Sequence, residues 1–522
     1  MTRCTLANSY QNFLRLCGVI WKLVVNYFPK YTLNPQSDPQ SVVGPTERLP
    51  ISSTTGIALQ HVLAMFGSTV VGPLLMGFSP NTALLFSGIG TLIFYVCTGG
   101  KVPSYVGSSF AFIGVVNSAT GFVYVPGGPG NQHIGLASGG ILICGVCYLA
   151  IAIVVMLVGS RWLEVLMPPV VTGAVVITIG LSLSGSAIIQ ASTTGFDAWM
   201  ALLTVVIVCL VTTYAPGPLR RLPVLIGGLT SYLVYLFFGL GGIGPGIDFS
   251  LLSNSKWIGI PPTARPVFDG SAITLIAPVA IILAAENIGH IKAVGAMTES
   301  SLDKFLGRAF LGDSLATILA ASFGSIGTTT YAENIGVMSI TRIFSTLTFV
   351  IAAFVAIILG ILPIFGAFIQ TIPPGVFGGL SVVLFGIVGI TGIRMWIGNQ
   401  IDFQKSRNLL TAGVTIVVGI GMAGGHVVQW GVVKFDGIGC ATLTAIVLYQ
   451  LLRDDWGEML TKLWNKITKK NTTSDKISTN DTITPNPFDD NTSIEPLEVP
   501  STIVGDENNQ NSSSVVCLET HF

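Results

Sequence analysis

The chain has 522 residues, half of them hydrophobic and only 10% charged, whereas soluble domains carry about 25% charged residues; composition places it in a bilayer. Its 25 basic residues balance 25 acidic ones, so there is no net positive charge to attract nucleic acid. Eight cysteines are scattered, and the nearest pair, Cys144 and Cys147, lies inside an apolar run at 140–158 with no further Cys or His beside it. That is a helix-packing pattern rather than a metal or redox site.

Residues 1–50 carry Arg3, Arg15, Lys22, Lys30 and Arg48 around a short apolar patch at 18–27. The patch is too short for a signal peptide and lacks a small-residue cleavage site, so an interfacial or disordered cytoplasmic arm is expected. A membrane span needs about 20 apolar residues. Runs at 56–78, 82–97, 141–158, 168–183, 199–214 and 223–240 give spans one, two and four to seven, and runs at 273–291, 310–323, 347–365, 376–393, 409–422 and 438–452 give spans eight, nine and eleven to fourteen. Two shorter pieces remain: 102–116, interrupted by Pro103 and Gly107, and 330–340. As spans three and ten they complete an all-α integral membrane protein of fourteen segments. Residues 471–522 turn to Asn, Thr, Ser, Asp and Pro, a composition that cannot bury enough apolar surface to fold and predicts a disordered cytoplasmic tail.

With both termini in the cytoplasm, 22 Lys and Arg fall inside and only Lys256, Arg265 and Lys434 outside, despite a long outer loop at 241–270. That asymmetry follows the positive-inside rule. A shift of 226 residues lays Gln60 on Glu286, Thr91 on Thr317 and Tyr105 on Tyr331, so short span three falls on short span ten. Seven spans per half give the halves opposite orientation, a 7+7 inverted repeat, and paired interrupted segments in such repeats point to the substrate site.

The segments 104–110 and 328–333 read as extended backbone running into half-helices. Non-helical backbone at membrane depth is tolerated only where protein or a cavity surrounds it, and a half-helix opens with free N–H donors at the positive end of its dipole. Glu333 and Glu286 stand here in apolar surroundings, where an acidic group costs roughly 2.5–3.5 kcal/mol and therefore faces a protein interior or a substrate path. Backbone donors combined with two carboxylates suit a planar ring that alternates C=O and N–H, such as a nucleobase, with Phe110 and Tyr331 available to cover its faces. Two carboxylates in one low-dielectric site resist being ionised together, which offers a route to proton coupling. His290, four residues after Glu286, shares its helical face and would steady the carboxylate or relay a proton. His61 reads equally as a packing histidine, Asp313 as a structural acceptor, and Lys101, Lys292 and Arg342 as span-end residues that reach to the interface.

Glu333-Asn334-x-Gly336-x-x-x-x-Thr341-Arg342, the pair Gln60-His61, the run Ser108-Ser109-Phe110-Ala111-Phe112 and Glu286-x-x-x-His290 together resemble the nucleobase/ascorbate transporter family over roughly residues 49–452. Glu at position 333 is most similar to bacterial-type uracil permeases; relatives favouring xanthine or urate more often have Gln there. The resemblance implies proton-coupled uptake of uracil by alternating access, with no cofactor beyond the coupling proton. It implies a core domain (51–160 and 270–368) and a gate domain (161–245 and 369–455), and a homodimer in the plasma membrane. Carried over by motif, Glu286, Glu333, Phe110, Ala332, Tyr331 and Ser68 would bind the base. Glu286, His290 and Glu333 would couple protons, and Asn334, Gln60 and His61 would support them. Two departures bear on pocket size: Asn287 follows Glu286, and Ala332 stands where the family pattern has Gly. A xanthine or urate permease is the alternative within the family. An anion exchanger or channel-like protein of the same fold is the alternative outside it, against which the paired carboxylates count. No metal-ligand cluster, nucleophile elbow or phosphate loop suggests an enzyme.

Overall fold

The computed structural model describes residues 27–34, 42–125, 128, 130–216, 222–423, 428–430, 433–435 and 437–453; the tail 471–522 and most of the apolar patch at 18–27 lie outside the described residues. Helices dominate. In chain order the longer ones are α1 (Ile51–Leu75), α2 (Pro80–Thr98), α3 (Ala111–Thr120), α4 (Ile134–Val158), α5 (Arg161–Leu166), α6 (Pro169–Ala191), α7 (Gly195–Tyr214) and α8 (Pro223–Leu240). They continue as α9 (Gly270–Met297), α10 (Leu306–Ser322), α11 (Ala332–Thr341), α12 (Thr346–Gly360), α13 (Pro363–Gln370), α14 (Pro374–Gly398), α15 (Ser406–Gly421) and α16 (Gly437–Leu451). Short strand pairs are β1 (Thr32–Leu33) with β2 (Glu47–Arg48), β3 (Val106–Ser108) with β4 (Thr328–Thr330), and β5 (Val428–Trp430) with β6 (Val433–Phe435).

Eight of the described helices, α1, α2, α4, α6, α7, α8, α9 and α14, are long and apolar enough to cross a membrane. The run expected to form span eleven is broken: α12 and α13 meet at 78°, where Pro363 supplies no N–H to continue the ladder. The expected short spans each resolve into a three-residue strand followed by a ten-residue helix, β3 into α3 and β4 into α11.

Packing falls into two sets. Helix α10 lies against α4 and α2, α12 against α2 and α1, and α11 against α1 and α9; in the other set α14 packs on α6 and α7, α15 on α6 and α16, and α8 on α7. A buried carboxylate locks the second set at one end, where Asp197 at the start of α7 accepts from Tyr235 Oη (3.2 Å), Thr194 Oγ1 (2.7 Å) and the Gly375 N–H (3.1 Å). At the other end Lys292 of α9 meets Glu164 of α5 at 3.1 Å, an exposed pair worth at most about 1 kcal/mol.

Antiparallel β3 and β4 cross at the centre, pairing Val106 with Thr330, Gly107 with Thr329 and Ser108 with Thr328. The ladder extends by Ser109 N to Gly327 O (3.1 Å) and Tyr331 N to Tyr105 O (3.0 Å). A local two-fold axis therefore relates positions 222 apart. Thr91 of α2 bonds both N and O of Val106, and Thr317 of α10 bonds both N and O of Thr328. These two threonines obey the 226 shift expected from sequence, whereas the strands do not, because the connection from Thr91 to β3 is four residues longer than that from Thr317 to β4. Tyr105 is thus the counterpart of Gly327, not of Tyr331; the two tyrosines are stacked neighbours, with centroids 6.2 Å apart.

Of the two expectations for the arm, interfacial or disordered, the second does not hold for its described part. Val43 takes the N–H of Phe344 (2.8 Å) and gives its own to Arg342 O (3.0 Å). Tyr31 Oη is 2.6 Å from Thr346 Oγ1, Tyr27 Oη donates to Cys97 O at 2.9 Å, and Phe28 stacks on Tyr95.

Candidate functional site

The site forms where the crossed strands end and α11 begins. Tyr331 is extended backbone and Ala332 opens the helix, so Glu333 sits in its first turn, where unsatisfied N–H groups and the dipole favour a carboxylate. Its Oε1 accepts a hydrogen bond from the Ser68 hydroxyl of α1. Ser68 reaches it from a π-helical turn, Gly67–Val71. Pro73 follows one turn later, and in a regular helix its ring would clash with the carbonyl of Thr69 and leave it unbonded. The widened turn absorbs that conflict, as π-turns at functional sites often do.

The same turn anchors the crossing: Thr69 Oγ1 lies 3.0 Å from Tyr331 Oη, which also donates to Ser108 O at 3.1 Å. The Tyr331 ring is buried and lies under β3, where a Cβ added at Gly107 would meet its Oη at 2.6 Å. The residue expected to cover a ring face is therefore built into the scaffold, and no side chain larger than hydrogen fits opposite it.

Glu286 projects from α9 beside the Thr329 hydroxyl and close enough to Glu333 and Asp313 for their charges to interact. His290, one turn along, does not turn to Glu286: its Nδ1 is 2.8 Å from Thr330 Oγ1. Asn287 faces the other way, donating to Asp313 Oδ2 (2.7 Å) and Tyr148 Oη (3.0 Å) in a fully buried cluster. Behind α11, the Asn334 amide meets His61 Nδ1 at 3.0 Å and His61 O at 3.2 Å. His61 is fully buried against Phe349, with Gln60 beside it, also buried; the Asn334–His61 pair braces α11 against α1. Phe110, at the head of α3, is half-buried and meets Phe385 of α14 edge-on, with centroids 6.2 Å apart.

Glu286, Glu333, Ser68, Ala332 and Tyr331 are thus gathered around one strand crossing, with Phe110 at the head of the opposing half-helix. Sequence reasoning missed Thr69, Phe385, and the partnership of His290 with Thr330. A signal for the first was present in Gly67-Ser68-Thr69 followed by Gly72-Pro73, a helix that has to widen. Chemically, the arrangement offers two carboxylates as acceptors for ring N–H groups, N–H groups at the head of α11 for ring carbonyls, and an aromatic edge at Phe110; at the head of α3 the N–H groups of Ala111, Phe112 and Ile113 are already taken by Ser109 and Phe110.

Residues 52–428 match the model of a permease family. A protein of Escherichia coli (strain K12), named provisionally as the pyrimidine permease RutG, is 49% identical over 427 residues, covering 81% of this chain and 95% of its own length. Uracil permeases of Bacillus subtilis (strain 168) and E. coli (strain K12) are 37% and 36% identical, covering 77% and 78% of this chain and 92% of each relative. Among solved structures, the transmembrane domain of the cyanobacterial bicarbonate transporter BicA superposes with a TM-score of 0.55 at 13% identity, covering 76% of this chain and 97% of that one. The murine anion transporter Slc26a9 in its inward-facing state gives 0.59 at 12%, covering 82% and 70%. The last two likenesses concern the fold.

Proposed function

The chain belongs to the nucleobase/ascorbate transporter family, a membrane permease and not an enzyme, and from that premise we propose that it takes up uracil with protons by alternating access. The observation that carries the reading is Glu333 at the head of α11, held by Ser68 and close enough to Glu286 of α9 for their charges to interact. Two acceptors for N–H groups beside opening helix N–H donors match the edge of uracil, and relatives named uracil permeases share the chain over most of its length. Coupling follows from the same pair: a proton on one carboxyl relieves repulsion, and a bound neutral ring closes the site over it.

In this reading the fourteen helical segments span the membrane, with both termini in the cytoplasm and the basic helix ends facing inward. The set containing α1–α4 and α9–α12 forms a core that carries the base, and the set containing α6–α8 and α14–α16 forms the gate on which it moves; the sparse packing between them supports the division. A homodimer in the plasma membrane through the gate helices completes the proposal.

The test is uptake of labelled uracil into proteoliposomes with and without an inward proton gradient. The gradient should stimulate uptake severalfold, with Glu333→Ala at background. Gradient-independent uptake, or full uptake by Glu333→Ala, overturns the reading. Competition by excess xanthine at equal or higher potency would move the substrate to the purine side of the family.

A further inference from the structure

The two helix sets part at one end of α6 and meet at the other. Between them lies a cavity of about 440 Å³, with Leu75 of α1 and Asn117 of α3 on the core side and Ser186, Gln190, Phe385 and Ile438 on the gate side. Ser186 and Gln190 belong to the second half of α6. From Pro169, where that helix begins, to Ser186 is roughly 25 Å of helical rise. Glu164 of α5 stands just before Pro169, so the ion pair it forms with Lys292 and the cavity occupy opposite ends of α6.

That pair crosses the boundary between the sets. Lys292 is on the core helix α9, its Nζ 3.1 Å from Glu164 Oε2. Glu164 stands with the gate, because α5 leads into α6 and Val165 O accepts from Gln450 Nε2 of α16 at 2.7 Å. The Ser160 hydroxyl donates to the other Glu164 oxygen at 3.0 Å, which orients the carboxylate. One turn back along α9, Gly289 lets α14 come close: a Cβ added there would meet the Met395 methyl at 3.1 Å. Positions 289 and 292 are neighbours on one face of the helix. That face of the core therefore meets the gate through an apolar contact and then through an ion pair. Glu286 is on the same helix, roughly 9 Å of rise from Lys292, so whatever moves the pair moves a carboxylate of the site with it.

The side chains of Lys292 and Glu164 are 45% and 38% exposed, and a pair so open to water adds little to folding stability. At a boundary that slides, the same attraction acts on a different quantity. It is present in the state that closes this end and absent from the state that opens it, so it biases that equilibrium by up to about fivefold.

We propose that Glu164 and Lys292 form a latch that holds core to gate at the Pro169 end of α6 while the Ser186 end stands open, and that the latch parts when the core moves. The inference rests on the alternating-access reading. Two reporters read the two ends: Ser186→Cys on the cavity wall and Met395→Cys against Gly289. Each reacts with a water-soluble maleimide in the full-length protein in lipid nanodiscs, and the modified peptide is followed by mass spectrometry. Each rate follows the population of the state that exposes its thiol. The ratio of the Met395→Cys rate to the Ser186→Cys rate therefore shifts by the factor in the equilibrium, whatever the starting balance. Lys292→Gln and Glu164→Gln should each raise that ratio about two- to fivefold, and the two together should raise it no further. Lys292→Glu sets like charges side by side and should raise it at least about fivefold, and adding Glu164→Lys should bring it back to within about twofold of the parent. An unmoved ratio in Lys292→Glu, or a charge swap that restores nothing, overturns the latch, while uracil uptake by the parent leaves the transport reading standing. Absence of that uptake overturns the transport reading itself.

Discussion

The two strand-and-half-helix units that cross at the centre share one backbone plan and differ in what surrounds it. Both have three extended residues and a ten-residue helix, and both end in the left-handed region. The β3/α3 unit places buried Ala111 where the β4/α11 unit places Glu333, 222 residues on. Helix α3 ends at Gly121, which has open space around it (φ 66°), and its last turns form a cavity wall. Helix α11 ends at Arg342 (φ 55°), a conformation that costs a non-glycine residue energy, and the next residues are strapped by Val43 and Tyr31 of the arm. Symmetry supplies a frame of two crossed strands that each open a half-helix, and the chemistry is then loaded on one side only, the side to which the arm is bonded.

The largest effect expected from breaking this asymmetry is at Glu333. Glu333→Ala removes the only carboxylate on either half-helix and should reduce uracil uptake at least a hundredfold, with the melting temperature within a few degrees of the parent. Unchanged uptake would mean that the acidic side chain of the β4/α11 unit has no role in reading substrate.

Next in size is the point where the two units touch. Gly107→Val drives a side chain into the Tyr331 ring; overpacking of this kind costs about 1–3 kcal/mol, and both thermal stability and uptake should fall. Thr329→Val, at the partner position across the ladder, keeps the shape and removes a hydroxyl beside Glu286. Its stability should change by less than about 1 kcal/mol, and its defect should appear as a raised KM. Equal destabilisation by the two would show that the crossing is tolerant and that Gly107 is not needed for fit.

The features that sequence exposed are those with a steep local cost. Glu286 and Glu333 stood out because a carboxylate in apolar surroundings needs a reason, and the two short segments because they cannot span a bilayer as helix. What stayed hidden depends on contacts distant in the chain. The partner of His290 is set by the rotation of β4 against α9, not by the i, i+4 spacing to Glu286. The four-residue difference between the connections to β3 and β4 becomes visible only when Thr91 and Thr317 are seen gripping their strands. The arm docks through pairing with Arg342 and Phe344 and burial of Val43 and Leu49 against Ile343, some 300 positions away.

A smaller effect tests whether the arm serves α11 alone. Thr346 Oγ1 lies within hydrogen-bonding reach of Tyr31 Oη, Pro45 O and Gly100 O, so Thr346→Val should cost about 1–2 kcal/mol. Amide exchange should accelerate several-fold at 332–341 and stay unchanged at 111–120. Acceleration in both helices would show that the strap steadies the whole crossing and that the asymmetry ends at Glu333.

The smallest effect is a pH signature at the turn that shapes the arm. Glu47 accepts from Asn34 Nδ2 and from the Gly44 N–H, each at 2.9 Å, and these bonds hold its carboxyl below the usual carboxylate range. A lowered folded-state pKa makes the contribution complete above the unfolded value, about 4.3 for Glu, and removes it as pH falls through the folded value. Amide exchange at 42–48, measured from pH 7 down to 3, should therefore lose protection only in the acid limb. Glu47→Gln should flatten that limb while the segment around Gly121, which has no such carboxylate, behaves alike in both proteins. The group is largely solvated, so screening keeps the change small. A matching acid limb at Gly121 would trace the pH response to the shared crossing and not to the arm, because only the arm carries the titrating turn.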